Sequence, residues 1–186
     1  ERLRGNELVA LIKRVFQPGE TDRSLAILVD LPDAKVADNT DWTTRRSIAE
    51  GWLQELTDCE RESGIKPVLV LYRNAHTNNG NLPERCWIYR GNGLPKVAEE
   101  LDAAESLPFE AVFDTYPLML APTQFSATAP LKMAAKRHAF RAATMGGFCE
   151  AMIPALRIDY GEVNRRVEYL KDVLDRASGA DLRLGY

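Results

Sequence analysis

Histidine and cysteine are scarce: His76 and His138, then Cys59, Cys86 and Cys149, in a chain of 186 residues. The cysteines are odd in number and widely spaced, which argues against a disulfide framework or zinc cluster and for a reducing, cytoplasmic setting. With neither a His-x-x-x-His nor a Cys-x-x-Cys pair, no metal site is expected within these residues. A basic excess is missing too. Lys and Arg number 24 against 27 Asp and Glu, for a net charge of −3, so neither nucleic acid nor an anionic membrane is an expected partner. No apolar run approaches the ~20 residues of a membrane helix, and the charged Glu1–Arg4 is no signal peptide. There is no G-x-S-x-G elbow, no P-loop, no repeat and no linker, and Gly91-Asn92-Gly93 lacks the third glycine of a dinucleotide fingerprint.

What is present suits an α/β domain. Hydrophobic residues make up 45% and charged residues 27%, enough for a core in one domain of this length. Asn6–Phe16 spaces Leu8, Leu11, Ile12, Val15 and Phe16 as a helix that Asn6 can cap. Leu25–Leu31 and Val68–Tyr72 are near-continuous apolar runs, the mark of strands buried on both faces of a parallel sheet. Between them Trp42–Glu62 reads as a helix capped by Asp41, completing a βαβ unit. Helices are expected over Pro95–Ala104, Lys132–Ala139, Glu150–Leu156 and Glu162–Ala177, and strands at Leu118–Ala121 and Phe140–Met145. Phe109–Phe113 is a further apolar run, and Ile88 and Tyr89 lie in a short segment of open type. The expected fold is a single α/β domain: a mostly parallel, Rossmann-like sheet flanked by helices. Position 1 is not Met and Ala180–Tyr186 reads as the start of another strand, so the chain is expected to be part of a longer one.

In open α/β sheets ligands sit beyond the carboxyl ends of the strands, which selects Asp30–Asp33, Asn74–Asn81 and Pro122–Pro130. The last holds Thr123, Gln124, Ser126 and Thr128 between two prolines, with Lys132 opening the next helix. Such groups can bind a small anion or a peptide-like carbonyl, and they can equally cap the following helix. Ser126 as an acyl-transfer nucleophile lacks a neighbouring histidine. Cys149 at a helix start has the position of a reactive thiolate, yet its Phe and Met neighbours suit a small buried hydrophobe. His76 can be paired with Asp30 or Asp33 around a metal, or be an exposed loop residue; His138, after Lys136 and Arg137, reads as a surface residue near a helix end.

Three segments carry a resemblance: Gln124–Lys132 (QFSATAPLK), Phe140–Phe148 (FRAATMGGF) and Met152–Tyr160 (MIPALRIDY). Together they resemble the N-terminal domain of the thermophilic metalloaminopeptidases, peptidase family M29, often described as leucyl aminopeptidases. Gly179-Ala180-Asp181-Leu182 looks like that family's passage into its second domain, and an early helix before Pro18-Gly19-Glu20 suits the pattern. Gly146 stands where the family usually has Pro. The resemblance implies a Glu, His and Asp two-metal site in a C-terminal domain outside these residues, with zinc, cobalt or iron as the divalent ion. It implies that this domain is catalytically silent alone and forms one wall of the cleft with Pro122–Lys132. Its partner would be its own C-terminal domain, with a homo-oligomeric contact as a second use of its surface. Ring-cleaving non-haem iron dioxygenases acting on dihydroxypyridine resemble the same family, so hydrolase and dioxygenase both stay open. A free-standing small-molecule binding module is the reading from another class.

Overall fold

A computed structural model of the chain describes residues 2–183 and residue 185. Two compact units divide it, Glu1–Ile153 and Pro154–Tyr186. The first is an α/β unit on one six-stranded sheet, mostly parallel and flanked by helices. Strands β1 (Ser24–Leu31), β2 (Lys66–Arg73), β3 (Arg85–Ile88), β4 (Leu107–Pro108), β5 (Leu118–Ala121) and β6 (Arg141–Thr144) lie in the order β4-β3-β2-β1-β5-β6. β2, β1, β5 and β6 run parallel, while at one side β3 pairs antiparallel with β2 and β4 antiparallel with β3.

β1 is central because its sequence allows nothing else: seven of its eight residues are buried, so both of its faces must be covered. Ala26 and Leu28 of β1, Val70 and Tyr72 of β2 and Met119 and Ala121 of β5 line one face, under α4 (Phe109–Thr115) and α5 (Thr128–Ala134). Phe113 stacks between Phe109 and Phe140, with ring centroids 5.0 and 5.1 Å apart. The alternate residues Leu25, Ile27, Val29, Leu69 and Leu71 take the other face, where α2 (Thr40–Asp58) packs on β1 and β2 and α1 (Gly5–Phe16) packs on α2. Leu8, Leu11, Ile12 and Phe16 are the buried stripe of α1, each worth about 1.5–3 kcal/mol of burial.

Several expected boundaries moved for local reasons. Asn39, not Asp41, caps α2, its side chain accepting the Trp42 N–H at 2.9 Å. The helix breaks at Cys59 and resumes as the short α3 (Glu60–Ser63), which Gly64 closes in the left-handed region. Arg4, not Asn6, is the N-cap of α1, and the Glu7 carboxylate accepts its N–H at 2.8 Å. The helix expected over Pro95–Ala104 is absent; only two single turns form, Ala98–Glu100 and Ala103–Glu105. There the Ala98 N–H goes to Pro32 O and the Trp87 indole to Asp102 O, so tertiary bonds take the place of a helical ladder. The helix expected over Lys132–Ala139 sits earlier, at Thr128–Ala134, and Glu150–Arg157 is 3-10 rather than α-helical, with Pro154 inside it. The run Phe109–Phe113 is helical.

In the second unit α6 (Tyr160–Asp175) is capped by Asp159 and carries the ion pairs Arg165–Glu162, Arg166–Glu162 and Lys171–Asp175. None of its residues is buried, and Val163, Val167, Leu170 and Leu174 are exposed. The strand expected from Ala180 is not formed over residues 180–183; Leu184 and Tyr186 lie outside the described residues. Among the described residues no helix is long and apolar enough to cross a membrane.

Candidate functional site

The chain leaves β1 toward β2 on one side, while β5 lies on the other side of β1 and leads to β6. The gap between the carboxyl ends of β1 and β5 is therefore the point where strand order reverses, the usual ligand crevice of such sheets. Asp30 sits in it, 1% exposed near the end of β1. Its two carboxylate oxygens accept the backbone N–H groups of Gln124 at 2.7 Å and Phe125 at 3.0 Å. The Trp42 indole N–H lies 3.2 Å from the carboxylate and 2.9 Å from the Asp30 carbonyl. Burial raises the Asp30 carboxyl above its ordinary range, opposed by those two amides and by the nearby Arg45 charge.

Arg45 is the counter-charge. It is buried on α2, donating from Nε to Phe148 O and from Nη1 to the Gln124 side-chain oxygen. Its neighbour Arg46, also buried, forks onto the Asp38 carboxylate at 2.6 and 3.0 Å. Sequence reasoning missed Arg45, though a signal was there. Trp42, Ala49, Trp52 and Leu56 form the buried stripe of α2, and position 45 falls on it at i+3 from Trp42. A charge on an apolar stripe demands a buried partner.

The other end of the same loop is tied to the loop after β2. The Ser126 N–H donates to the Asn78 side chain at 2.8 Å, and Ser126 O accepts the Asn79 N–H at 2.6 Å. Ser126 Oγ lies 3.3 Å from the Asn79 side-chain oxygen and 3.1 Å from Thr128 Oγ1, which is 2.8 Å from Thr144 Oγ1. Thr123 is wholly buried; its hydroxyl donates to Phe125 O at 2.6 Å and is hydrogen-bonded to Tyr72. Burial and the Asp30 charge hold the Tyr72 phenol well above its ordinary range. Gly146 closes the back of the loop. A Cβ there would stand 2.8 Å from Ser126 Cα, so this close approach admits only glycine.

Thr123, Gln124 and Ser126 thus share one loop and Thr128 opens α5 beside it, with their polar groups turned to the loop's own anchoring. Lys132 stands apart on α5, exposed beside Thr128, Leu131 and Thr144 on a shallow groove of about 310 Å3. His76 has left-handed backbone and lies 2.6 Å from Asp33 through Nε2. Burial pushes the Asp33 carboxyl up, but the His76 hydrogen bond and the amides of Val36 and Lys35 together draw it below its ordinary range. Asp30 faces Gln124 and Phe125 instead. No group of three or more His, Cys, Asp or Glu residues able to hold a metal occurs among the described residues. Cys149 is half-buried, and His138 pairs with Asp114 at 2.7 Å. A cavity of about 710 Å3 opens beside the loop between Asn79, Leu82, Phe109, Phe113, Ala129 and Met133.

No family model, curated protein or solved structure matches this chain.

Proposed function

We propose that this chain is the N-terminal α/β domain of an enzyme related to the M29 metalloaminopeptidases, silent in catalysis by itself and forming one wall of the parent enzyme's cleft. The observation that carries this reading is how the strand-end loop uses its polar groups. Gln124 and Phe125 give their amides to Asp30, and Ser126 gives its own to Asn78. That is the construction of a rigid wall, because a reacting centre needs a nucleophile with a base free to receive its proton. The Asp30 carboxylate stands on donors that would otherwise hold an anion.

The exposed stripe Val163, Val167, Leu170 and Leu174 on α6 supports a partner domain, since a helix with one apolar face gains its stability by covering it. The divalent ion, zinc, cobalt or iron, belongs in this reading to that C-terminal domain. Its identity would separate a hydrolase from the related ring-cleaving dioxygenases. One feature departs from the resemblance: a Pro in place of Gly146 would collide with Ser126 as the loop is built here. The second reading, a free-standing small-molecule binding module, is favoured by the 710 Å3 cavity, whose volume lies within the usual ligand-pocket range.

The test is the subunit mass and metal content of the product of the native gene, purified from its source. A subunit roughly twice this chain, as two ordinary domains give, with a bound divalent metal is the expected result. A 20.8 kDa subunit free of metal overturns it in favour of the binding module.

A further inference from the structure

The two edges of the sheet are built differently. At one, β4 is only Leu107–Pro108, and both its brevity and its proline block further pairing. At the other, β6 reads Arg-Ala-Ala-Thr. It contains no proline or lysine, and Ala142, Ala143 and Thr144 are each partly exposed.

The ladder fixes which backbone groups of β6 are spent. The N–H groups of Arg141 and Met145 donate to Pro117 O and Ala121 O, both at 2.9 Å. Bonds to β5 therefore fall on residues 141, 143 and 145, and the N–H and C=O groups of Ala142 and Thr144 point to the open edge. Among the described residues neither has a backbone partner outside the sheet. Along this edge runs the groove of about 310 Å3, with Leu131, Ala135, Phe140 and Ala142 as its apolar part and Thr128, Thr144, Lys132 and Arg141 as its polar part.

The segment from α5 into β6 carries charge of one sign, and a carboxylate from outside it, Asp114, meets it at His138. Residues 128–141 hold Lys132, Lys136, Arg137 and Arg141 and not one Asp or Glu, in a chain whose net charge is −3. Arg141 is paired with Asp22, whereas Lys132, Lys136 and Arg137 are exposed and have no ion-pair partner among the described residues.

We propose that the open edge of β6 is a docking site for an extended acidic peptide, which adds a seventh strand and sets small apolar side chains into the groove while its carboxylates meet Lys132 and its neighbours. This is peptide recognition by strand addition: main-chain bonds to Ala142 and Thr144 supply affinity, and the groove and cations supply selectivity. A second copy of the chain is the poorer occupant. Pairing β6 with its own symmetry mate would bring two such cationic runs together.

The probe is a fluorescein-labelled, N-acetylated hexapeptide Glu-Ser-Val-Ser-Glu-Ser, whose Val and Glu side chains share one face of the added strand, the face of the groove and Lys132, titrated against the whole chain by fluorescence anisotropy. The comparison peptide carries Lys in place of Glu. The acidic peptide is expected to bind and the basic one not. Ala142→Pro removes an outward N–H while leaving the β5 ladder intact, and weakens binding about fivefold, the value of a main-chain hydrogen bond. Lys132→Glu weakens the acidic peptide by a similar factor and brings the basic peptide closer to it. Unchanged circular dichroism and melting show that each variant is folded. Hydrogen exchange on the parent gives the reading independently of any variant: the amides of Ala142 and Thr144 gain protection on adding the acidic peptide. No binding, equal binding of both peptides, or protection elsewhere with these two amides unchanged overturns the proposal. A dimer of the free chain that Ala142→Pro dissociates overturns it in favour of the second copy.

Discussion

Asp30→Ala tests whether the buried carboxylate is what holds the strand-end loop. The substitution removes the acceptor of the Gln124 and Phe125 amides and leaves the buried Arg45 guanidinium without its counter-charge. Two hydrogen bonds to a charged acceptor amount to about 3–6 kcal/mol gross. Against this stands the relief of no longer burying a carboxylate, the same burial that raises the Asp30 carboxyl. A net loss of about 2–4 kcal/mol remains, at the lower side of what breaking a buried charge pair costs. Urea unfolding followed by tryptophan fluorescence is the assay, because Trp42 is fully buried against Asp30.

The sign with pH follows from the raised carboxyl. The folded chain holds this proton more tightly than the unfolded chain, so its contribution is greatest below 3.8 and declines as pH rises from there to the raised value. The penalty of Asp30→Ala is accordingly larger at about pH 4 than at about pH 7. Formate supplies a replacement for the missing group: at about ten times its dissociation constant it restores about 1.4 kcal/mol, where equal chloride does not. A loss under about 0.5 kcal/mol, the range of an ordinary surface substitution, would refute the reasoning; so would formate acting no better than chloride.

Gly146→Ala forces a Cβ to within 2.8 Å of Ser126 Cα and costs about 1–3 kcal/mol by overpacking, read from the urea midpoint; a neutral outcome would mean that the loop shifts freely. Asp33 is drawn below its ordinary range, so its contribution is present above 3.8 and lost as pH falls through the lowered value. Asp33→Asn therefore makes the acid side of the stability curve shallower, as thermal melts across the acid range would record. Burial pushes the Cys86 thiol up to about 12. A disulfide reagent at neutral pH should modify Cys59 and Cys149 well before Cys86, as mass mapping of the labelled chain would show.

β1, β2 and β5 could be read from the sequence because their burial is nearly complete. Leu25–Leu31 admits no exposed face, so a central parallel strand is the one place it fits. The stripe of α1 was legible for the related reason that one face must be covered. Pro95–Ala104 misled because a helical composition there is overruled by the bonds from Ala98 to Pro32 and from Trp87 to Asp102. β3 and β4 were not legible at all. β3 mixes Arg and Cys with its Trp and Ile, β4 is two residues long, and both exist through their antiparallel pairing.

The candidate loop was picked by its place after a strand; Thr123, Gln124 and Ser126 lie in it, and Thr128 is the first residue of α5. What each one touches was beyond reach. Arg45 and Gln124 are 79 positions apart, Asp30 and Phe125 are 95 apart, and no local pattern encodes such a meeting.

By itself, then, the sequence determined the elements whose chemistry is local: buried apolar strands, amphipathic helices, breaks at Gly and Pro, and the scarcity of metal ligands. Tertiary structure alone decided that β5 would settle beside β1. That adjacency sets Asp30 under the amides of Gln124 and Phe125 and leaves the far side of β6 without a strand partner among the described residues. The physical reason is common to both. Backbone donors and acceptors are the same at every residue, so only the arrangement of strands decides which of them are satisfied and which stay open to another chain.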